Sequence, residues 1–287
     1  MVTGAKSRAG SFARRAIHGL ARLPWRGAQV LPWLPQRRVQ LLLGPPPLGP
    51  EGVWSALDPY AIYGQQPSTY LVDLALDAAR EASRTHLSIL VERATTIGSP
   101  FSSWAEMFPG EHYRLLAGLT RVLAPRLTVE IGTYTGASAL AFLEHAVPES
   151  HVVTYDIIPW GQIPGSLLRT SDFSDGRLEQ RVGDLADSTY WAAQRQLFLD
   201  ADIIFLDGPK DDLFEPLMLK RFADLQRQDP FLLVVDDIRF LEMLGPWARF
   251  PAPKLDLTSF GHWSGTGLAL VGPESRPGHA KGGDCPQ

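Results

Sequence analysis

Cysteine is almost missing from this chain: there is one, Cys285, in 287 residues. A single thiol excludes an intrachain disulfide framework and any cysteine-based zinc cluster. Long apolar runs are missing as well. Nothing approaches the roughly eighteen consecutive apolar residues that suggest a membrane-spanning helix. Acidic residues are missing from the first fifty positions, which carry Lys6, Arg8, Arg14, Arg15, Arg22, Arg26, Arg37 and Arg38. Residues 51–287 then hold 19 basic against 31 acidic side chains, a balance of −12. Such an acidic body argues against general nucleic-acid binding. No internal repeat is visible.

The basic arm contains "SFARRAIHGLARLPW". Phe12, Ala16, Ile17 and Leu20 fall on one helical face, and Arg14, His18 and Arg22 on another. A packed or free arm is one expectation; organelle targeting and contact with an anionic membrane are the others. "LLLGPPPLGPEG" follows as a linker, because its prolines break helices. Residues 1–50 are therefore expected to form a basic arm and linker, 51–102 a helical extension, 103–272 the main domain, and 273–287 a disordered tail.

In the extension, Ser68 can cap a helix running from Pro67 to about Arg93, with Leu71, Leu74, Ala75, Ala78 and Ala82 at helical spacing. "GSPFSSWAEMFPGEHY" is expected to be a loop. A second helix lies over "GEHYRLLAGLTRVLAP", ended by Pro125. The pattern then changes to short β-branched runs, "LTVEIG", "HVVTYD", "ADIIFLD" and "FLLVVDD", separated by helical stretches. Alternation of this kind predicts an α/β fold with a parallel sheet covered on both faces. "KLDLTSFGHWSGTGLALVG" contains two strand-like runs and a Gly-rich turn, which predicts an antiparallel hairpin at the sheet edge.

In an open parallel sheet, ligands bind beyond the carboxyl ends of the strands. Here each of those ends is acidic: Glu130 before Gly132, then Asp156, Asp207, and Asp236–Asp237. The glycines of "EIGTYTG" are spaced G-x-x-x-G, unlike the G-x-G-x-x-G dinucleotide fingerprint. Glu130 would repel a pyrophosphate but suit a cationic amino group. Asp156 is placed to accept from a ribose diol. A nucleoside joined to an amino acid, without phosphate, fits both.

The ordered motifs "VEIGTYTGASAL", "VVTYDIIP", "VGDLAD", "IIFLDGPK" and "LLVVDDI" resemble those of class I S-adenosylmethionine-dependent methyltransferases. Within that class the chain resembles the cation-dependent, catechol-type small-molecule O-methyltransferases, over about Ser103 to Val271. The resemblance implies a Rossmann-like, doubly wound, mostly parallel seven-stranded sheet. It implies cofactor contacts from Glu130, Gly132, Tyr134, Gly136, Ser138, Asp156 and Asp184, with Trp104 and Met107 as a weaker match in a covering segment. It implies a divalent cation, Mg²⁺, on Asp207, Asp236 and Asp237, and Lys210 as the catalytic base. Asp237 departs from the pattern, since catechol-type members often carry asparagine there. Three converging carboxylates would repel without a cation, and oxygen ligands suit Mg²⁺. An ammonium beside that ion would have a lowered pKa and could take the acceptor's proton.

The expectation is thus an O-methyltransferase acting on a small hydroxylated acceptor. Alternatives are a metal-independent methyltransferase of the same fold and a membrane-attached binding protein without catalysis. A nicotinamide oxidoreductase is disfavoured by the glycine spacing. A cytoplasmic location, a homodimer, and membrane contact through residues 1–38 are further expectations. His262 and Trp263, in the hairpin turn, are read as packed or exposed turn residues rather than site residues. Trp160 is left open.

Overall fold

The structure is a computed structural model that describes residues 67–273, except Asp212 and the side chain of Glu242. The expectations for the basic arm, the linker, residues 51–66 and the tail beyond 273 lie outside the described residues.

Helix α1 (Thr69–Arg84) starts where Ser68 accepts from the Leu71 amide at 3.3 Å. It buries Leu71, Leu74, Ala75, Ala78, Ala79 and Ala82. The single helix expected from Pro67 to about Arg93 is in fact two. The chain leaves the helix at Thr85 and restarts as α2 (Ser88–Thr96). The reason lies far along the sequence. Arg114 donates to the carbonyls of Ala82 at 3.0 Å and Ser83 at 2.8 Å, satisfying groups that the end of α1 exposes. Leu87 is buried in the break. The expected loop "GSPFSSWAEMFPGEHY" holds one helical turn, α3 (Phe101–Trp104). Helix α4 (Tyr113–Leu123) ends on left-handed Ala124, just before Pro125.

Strands β1 (Leu127–Ile131), β2 (His151–Asp156), β3 (Leu178–Val182), β4 (Ile203–Leu206) and β5 (Phe231–Asp236) are parallel. Strands β6 (Lys254–Asp256) and β7 (Thr266–Val271) complete a seven-stranded sheet in the order β3-β2-β1-β4-β5-β7-β6. Strand β7 runs antiparallel to both neighbours, which gives the expected edge hairpin. Helices α5 (Ala137–His145), α6 (Ser188–Asp200), α7 (Phe214–Ala223) and α8 (Leu244–Arg249) fall between strands.

Strand residues alternate between two cores, as period-2 geometry requires. Ile203, Phe205, Leu232 and Val234 join α1, α2, α4 and α5 on one face. Ile204, Leu206, Leu233 and Val235 join α6, α7 and α8 on the other. The helical extension therefore shares its core with the sheet. Successive connections diverge between β1 and β4, and this reversal opens a crevice at the strand carboxyl ends. Among the described residues, no helix is long and apolar enough to cross a membrane.

Candidate active site at the strand ends

The turn after β1 depends on two glycines. Gly132 has φ +106°, and a Cβ there would sit 2.0 Å from the Asp207 carbonyl oxygen. Gly136 has φ +83°, and a Cβ there would sit 2.3 Å from the Leu168 side chain. Both the backbone angle and the space exclude a larger residue. The amides of Gly132 and Thr133 donate to the Tyr155 carbonyl at 2.8 and 3.1 Å, tying the turn to β2. Tyr134, 64% exposed, donates its amide to Asp156 Oδ2 at 2.9 Å. The Ile158 amide donates to Asp156 Oδ1 at 3.0 Å, so both oxygens of Asp156 are held beside the turn.

Ser138 is buried in the first turn of α5. Glu130 is buried behind the turn, and burial pushes its carboxyl up to about 8 although the Ser138 and Thr154 hydroxyls oppose this. Neither Glu130 oxygen receives a well-formed hydrogen bond. Asp184 is exposed and accepts from the Ala186 amide at 2.7 Å. It follows Gly183, whose amide donates to the Asp156 carbonyl at 2.9 Å. The expected cofactor residues thus come from β1, β2, the start of α5 and the loop after β3, all at the carboxyl ends of neighbouring strands.

The second half of the site lies at the ends of β4 and β5. Lys210 follows Asp207 by three residues and adopts φ +55°, its amide donating to Glu215 Oε1 at 2.7 Å. Its ammonium is buried and donates to Asp207 Oδ1 at 2.8 Å and to the Gly208 carbonyl at 3.2 Å. It stands 3.7 Å from Asp237 Oδ2. Asp236 is buried at the end of β5. Asp237 accepts from the Ser264 hydroxyl.

Two imidazoles enter the same cluster. His262 Nδ1 lies 3.2 Å from Asp236 Oδ1 and 3.3 Å from Asp237 Oδ1. Its Nε2 lies 3.1 Å from Glu111 Oε2. His112 Nδ1 lies 3.3 Å from Asp236 Oδ1, but neither of its ring nitrogens makes a hydrogen bond. Its ring packs against Tyr113 and Phe205, with centroids 4.4 and 5.4 Å away.

The charges compensate one another. Burial opposes the Lys210 ammonium, yet Asp207, then Asp237 and Asp236, outweigh burial and raise its pKa. Burial likewise opposes the charged form of His262, but Asp236 and Asp237 carry it up to about 11. Burial works against ionised Asp236, and His112 and His262 still hold its carboxyl well below the usual range. This corrects the expected electrostatics in one respect. The aspartates do not converge bare, because Lys210, His112 and His262 stand among them. In this arrangement Asp207 holds Lys210 as an ammonium.

Asp207, Asp236 and Asp237 are brought together, but not as a set of three. Donor atoms lie within 4.8 Å of one another in His112–Asp207–Asp236, in Asp236–Asp237–His262, and in Glu111–His112–His262. Asp236 joins the first two sets. These residues can hold a divalent cation, although the donors are mixed nitrogen and oxygen rather than oxygen alone. Sequence reasoning missed Glu111, His112 and Ser264, and placed His262 outside the site. The only signal lay in "GEHY" and "GHWSG", and nothing local says that the two segments meet.

No family model matches the chain, and no curated protein does. Several solved structures are similar. A methyltransferase from Geobacter sulfurreducens is 24% identical, over 55% of this chain and 78% of that one, with a TM-score of 0.43. The O-methyltransferase TomG from Streptomyces achromogenes, in complex with S-adenosylmethionine, is 21% identical over 65% and 89%, with a TM-score of 0.41. An O-methyltransferase from Bacillus cereus, in complex with S-adenosylhomocysteine, is 17% identical over 76% and 98%, with a TM-score of 0.42. Scores of this size leave the functional reading to the geometry of the strand ends.

Proposed function

We propose that the chain is an S-adenosylmethionine-dependent O-methyltransferase for a small hydroxylated acceptor, assisted by a divalent cation. One observation carries the reading. Asp156 is fixed against a G-x-x-x-G turn on one side of the crevice, and a lysine–aspartate–histidine cluster stands at the neighbouring strand ends. The first half suits a nucleoside with a cationic amino-acid part. The second suits an acceptor hydroxyl that must lose its proton.

Each residue then has a physical task. Gly132 and Gly136 let the backbone approach the ligand closely. Asp156 accepts from a ribose diol, and Asp184, beside it, borders the base. Glu130 lies behind the turn, where a cationic amino group would draw it into its charged form, and Ser138 opens α5. When bound, S-adenosylmethionine supplies an electrophilic methyl group, and a divalent cation supplies positive charge that lowers the pKa of a hydroxyl. Asp207, Asp236 and Asp237, with His112 and His262, would hold that cation. Lys210 fixes Asp207 and, with its pKa lowered by a cation beside it, would take the acceptor's proton as the methyl group is transferred. Most of the acceleration is alignment, which can supply several kcal/mol, about 7–11 in favourable intramolecular cases.

A second reading is favoured by the internal cations. Lys210, His112 and His262 could balance the aspartates without a metal, so that the same fold would transfer methyl groups metal-independently.

Calorimetric titration with S-adenosylhomocysteine tests the proposal. Saturable one-site binding is expected, at least tenfold weaker in Asp156→Ala and unchanged in Lys210→Ala. Absence of any binding to the folded full-length protein overturns it.

A further inference from the structure

We propose that the cluster is a mixed imidazole–carboxylate cation site, with His112 and His262 as ligands beside Asp207 and Asp236. Its ion would be a first-row transition metal of the imidazole-binding kind, such as Co²⁺, Ni²⁺ or Zn²⁺, in preference to Mg²⁺. The inference rests on the reading that this cluster holds a cation.

Spacing is the first argument. Two ring nitrogens lie 3.3 and 3.2 Å from the same oxygen, Asp236 Oδ1. Adjacent ligands with metal bonds of about 2.1 Å stand roughly 3.0–3.4 Å apart at octahedral to tetrahedral angles. Each imidazole nitrogen is spaced from Asp236 as neighbouring ligands are, and His112, Asp207 and Asp236 gather their donor atoms in one group.

The second argument is an unmet need. His112 is buried; its Nε2 has no hydrogen-bond partner, and its Nδ1 faces Asp236 Oδ1 at 3.3 Å without well-formed hydrogen-bond geometry. A purely structural histidine at that depth normally satisfies at least one nitrogen. His112 instead points Nδ1 into the cluster, and its donor atom groups with those of Asp207 and Asp236.

The third argument is the outer shell. Glu111 Oε2 lies 3.1 Å from His262 Nε2, while His262 Nδ1 faces the aspartates. A carboxylate on the far ring nitrogen is how ligating histidines are commonly oriented, because it fixes the tautomer and frees the near nitrogen for a metal. Ser264 donates to Asp237 and accepts from His262 Nδ1 at 2.8 Å, through a proton that a bound ion would displace, and so holds the hairpin turn in place. Mg²⁺ prefers carboxylate, carbonyl and water, whereas imidazole suits the later divalent ions.

The test uses metal-free full-length protein, titrated separately with Co²⁺ and with Mg²⁺ by calorimetry. Co²⁺ is expected to bind at one strong site, at least a hundredfold tighter than Mg²⁺. His112→Asn and His262→Gln should each weaken Co²⁺ at least tenfold while changing Mg²⁺ less than threefold. The Co²⁺ complex should also show two strongly shifted, solvent-exchangeable proton resonances from ring N–H groups, one missing in each variant. Retained circular dichroism spectra establish that the variants are folded. Co²⁺ affinity unaltered in both folded variants, or no strong Co²⁺ site at all, overturns the proposal. S-adenosylhomocysteine titrated into the same samples separates the two failures. Nucleoside binding without Co²⁺ binding sinks only the metal site, and the converse sinks only the methyltransferase reading.

Discussion

At the scale of single residues, Glu130 sets a measurable dependence on pH. Its carboxyl is buried at the centre of the sheet and titrates near 8 instead of 4.5. An unfolded chain releases this proton near the ordinary value, whereas the folded one keeps it until about pH 8. The contribution is therefore fully present below 4.5, falls as pH rises, and is lost above about 8. Glu130→Gln removes that slope. The variant should match the parent near pH 4.5 and exceed it at pH 8.5 by as much as ~4 kcal/mol. Urea unfolding at both pH values measures the difference, and parallel pH profiles for the two proteins would refute the assignment. Residues such as Glu130, Asp156, Asp207 and Asp236 are legible in the sequence because each ends an apolar β-branched run, where a charge needs a reason. His112 and Glu111 are not. They join the site only because the Trp263 amide reaches the Gly110 carbonyl at 3.1 Å, bringing the hairpin turn against the start of α4. No local pattern encodes a contact across 150 residues of chain.

At the scale of elements, the packing of α1 on α4 is close enough to test by one methyl group. Gly118 lies within α4, where alanine would favour the helix by about 1 kcal/mol. An added Cβ would however stand 2.3 Å from the Ala78 carbonyl oxygen and 3.0 Å from the Ala82 nitrogen, both in the backbone of α1. Backbone cannot swing aside as a side chain can, and overpacking of this kind costs about 1–3 kcal/mol. The clash should outweigh propensity, so Gly118→Ala is expected to lower the thermal midpoint by roughly 2–4 °C for each net kcal/mol. A raised midpoint in calorimetry would show that the two helices separate easily. Elements with a strong apolar period, α1 and α4 among them, were readable from sequence. The break at Thr85 was not, because its stabilising partner, Arg114, lies on another helix. Strand β3 gave no such run either: at the sheet edge it buries only Leu178 fully and carries Glu179, Gln180 and Arg181 between its apolar ends.

At the scale of the whole molecule, alternating strands and helices made the parallel sheet legible, and "KLDLTSFGHWSGTGLALVG" made the hairpin legible. The insertion of β7 between β5 and β6 was not, since a hairpin can join an edge through either strand. Charge is the other property of the whole chain, and it is sharply divided. Eight basic residues without an acid precede a body of net −12. An anionic bilayer attracts the first and repels the second. Each basic residue close to such a surface contributes about 1 kcal/mol, so the arm can hold the chain to the membrane only while it acts locally. Phe12, Ala16, Ile17 and Leu20 would add an apolar face to that contact. The full chain is therefore expected to sediment with vesicles rich in phosphatidylserine at low salt and to stay in solution with neutral ones. Replacing Arg14, Arg15, Arg22 and Arg26 together by Gln should reduce sedimentation at least tenfold. Raising salt to ~1 M, where the screening length is about 3 Å, should release most of the parent protein. Equal sedimentation of parent and variant on anionic vesicles would rule out this role for the arm and leave its charge to another partner.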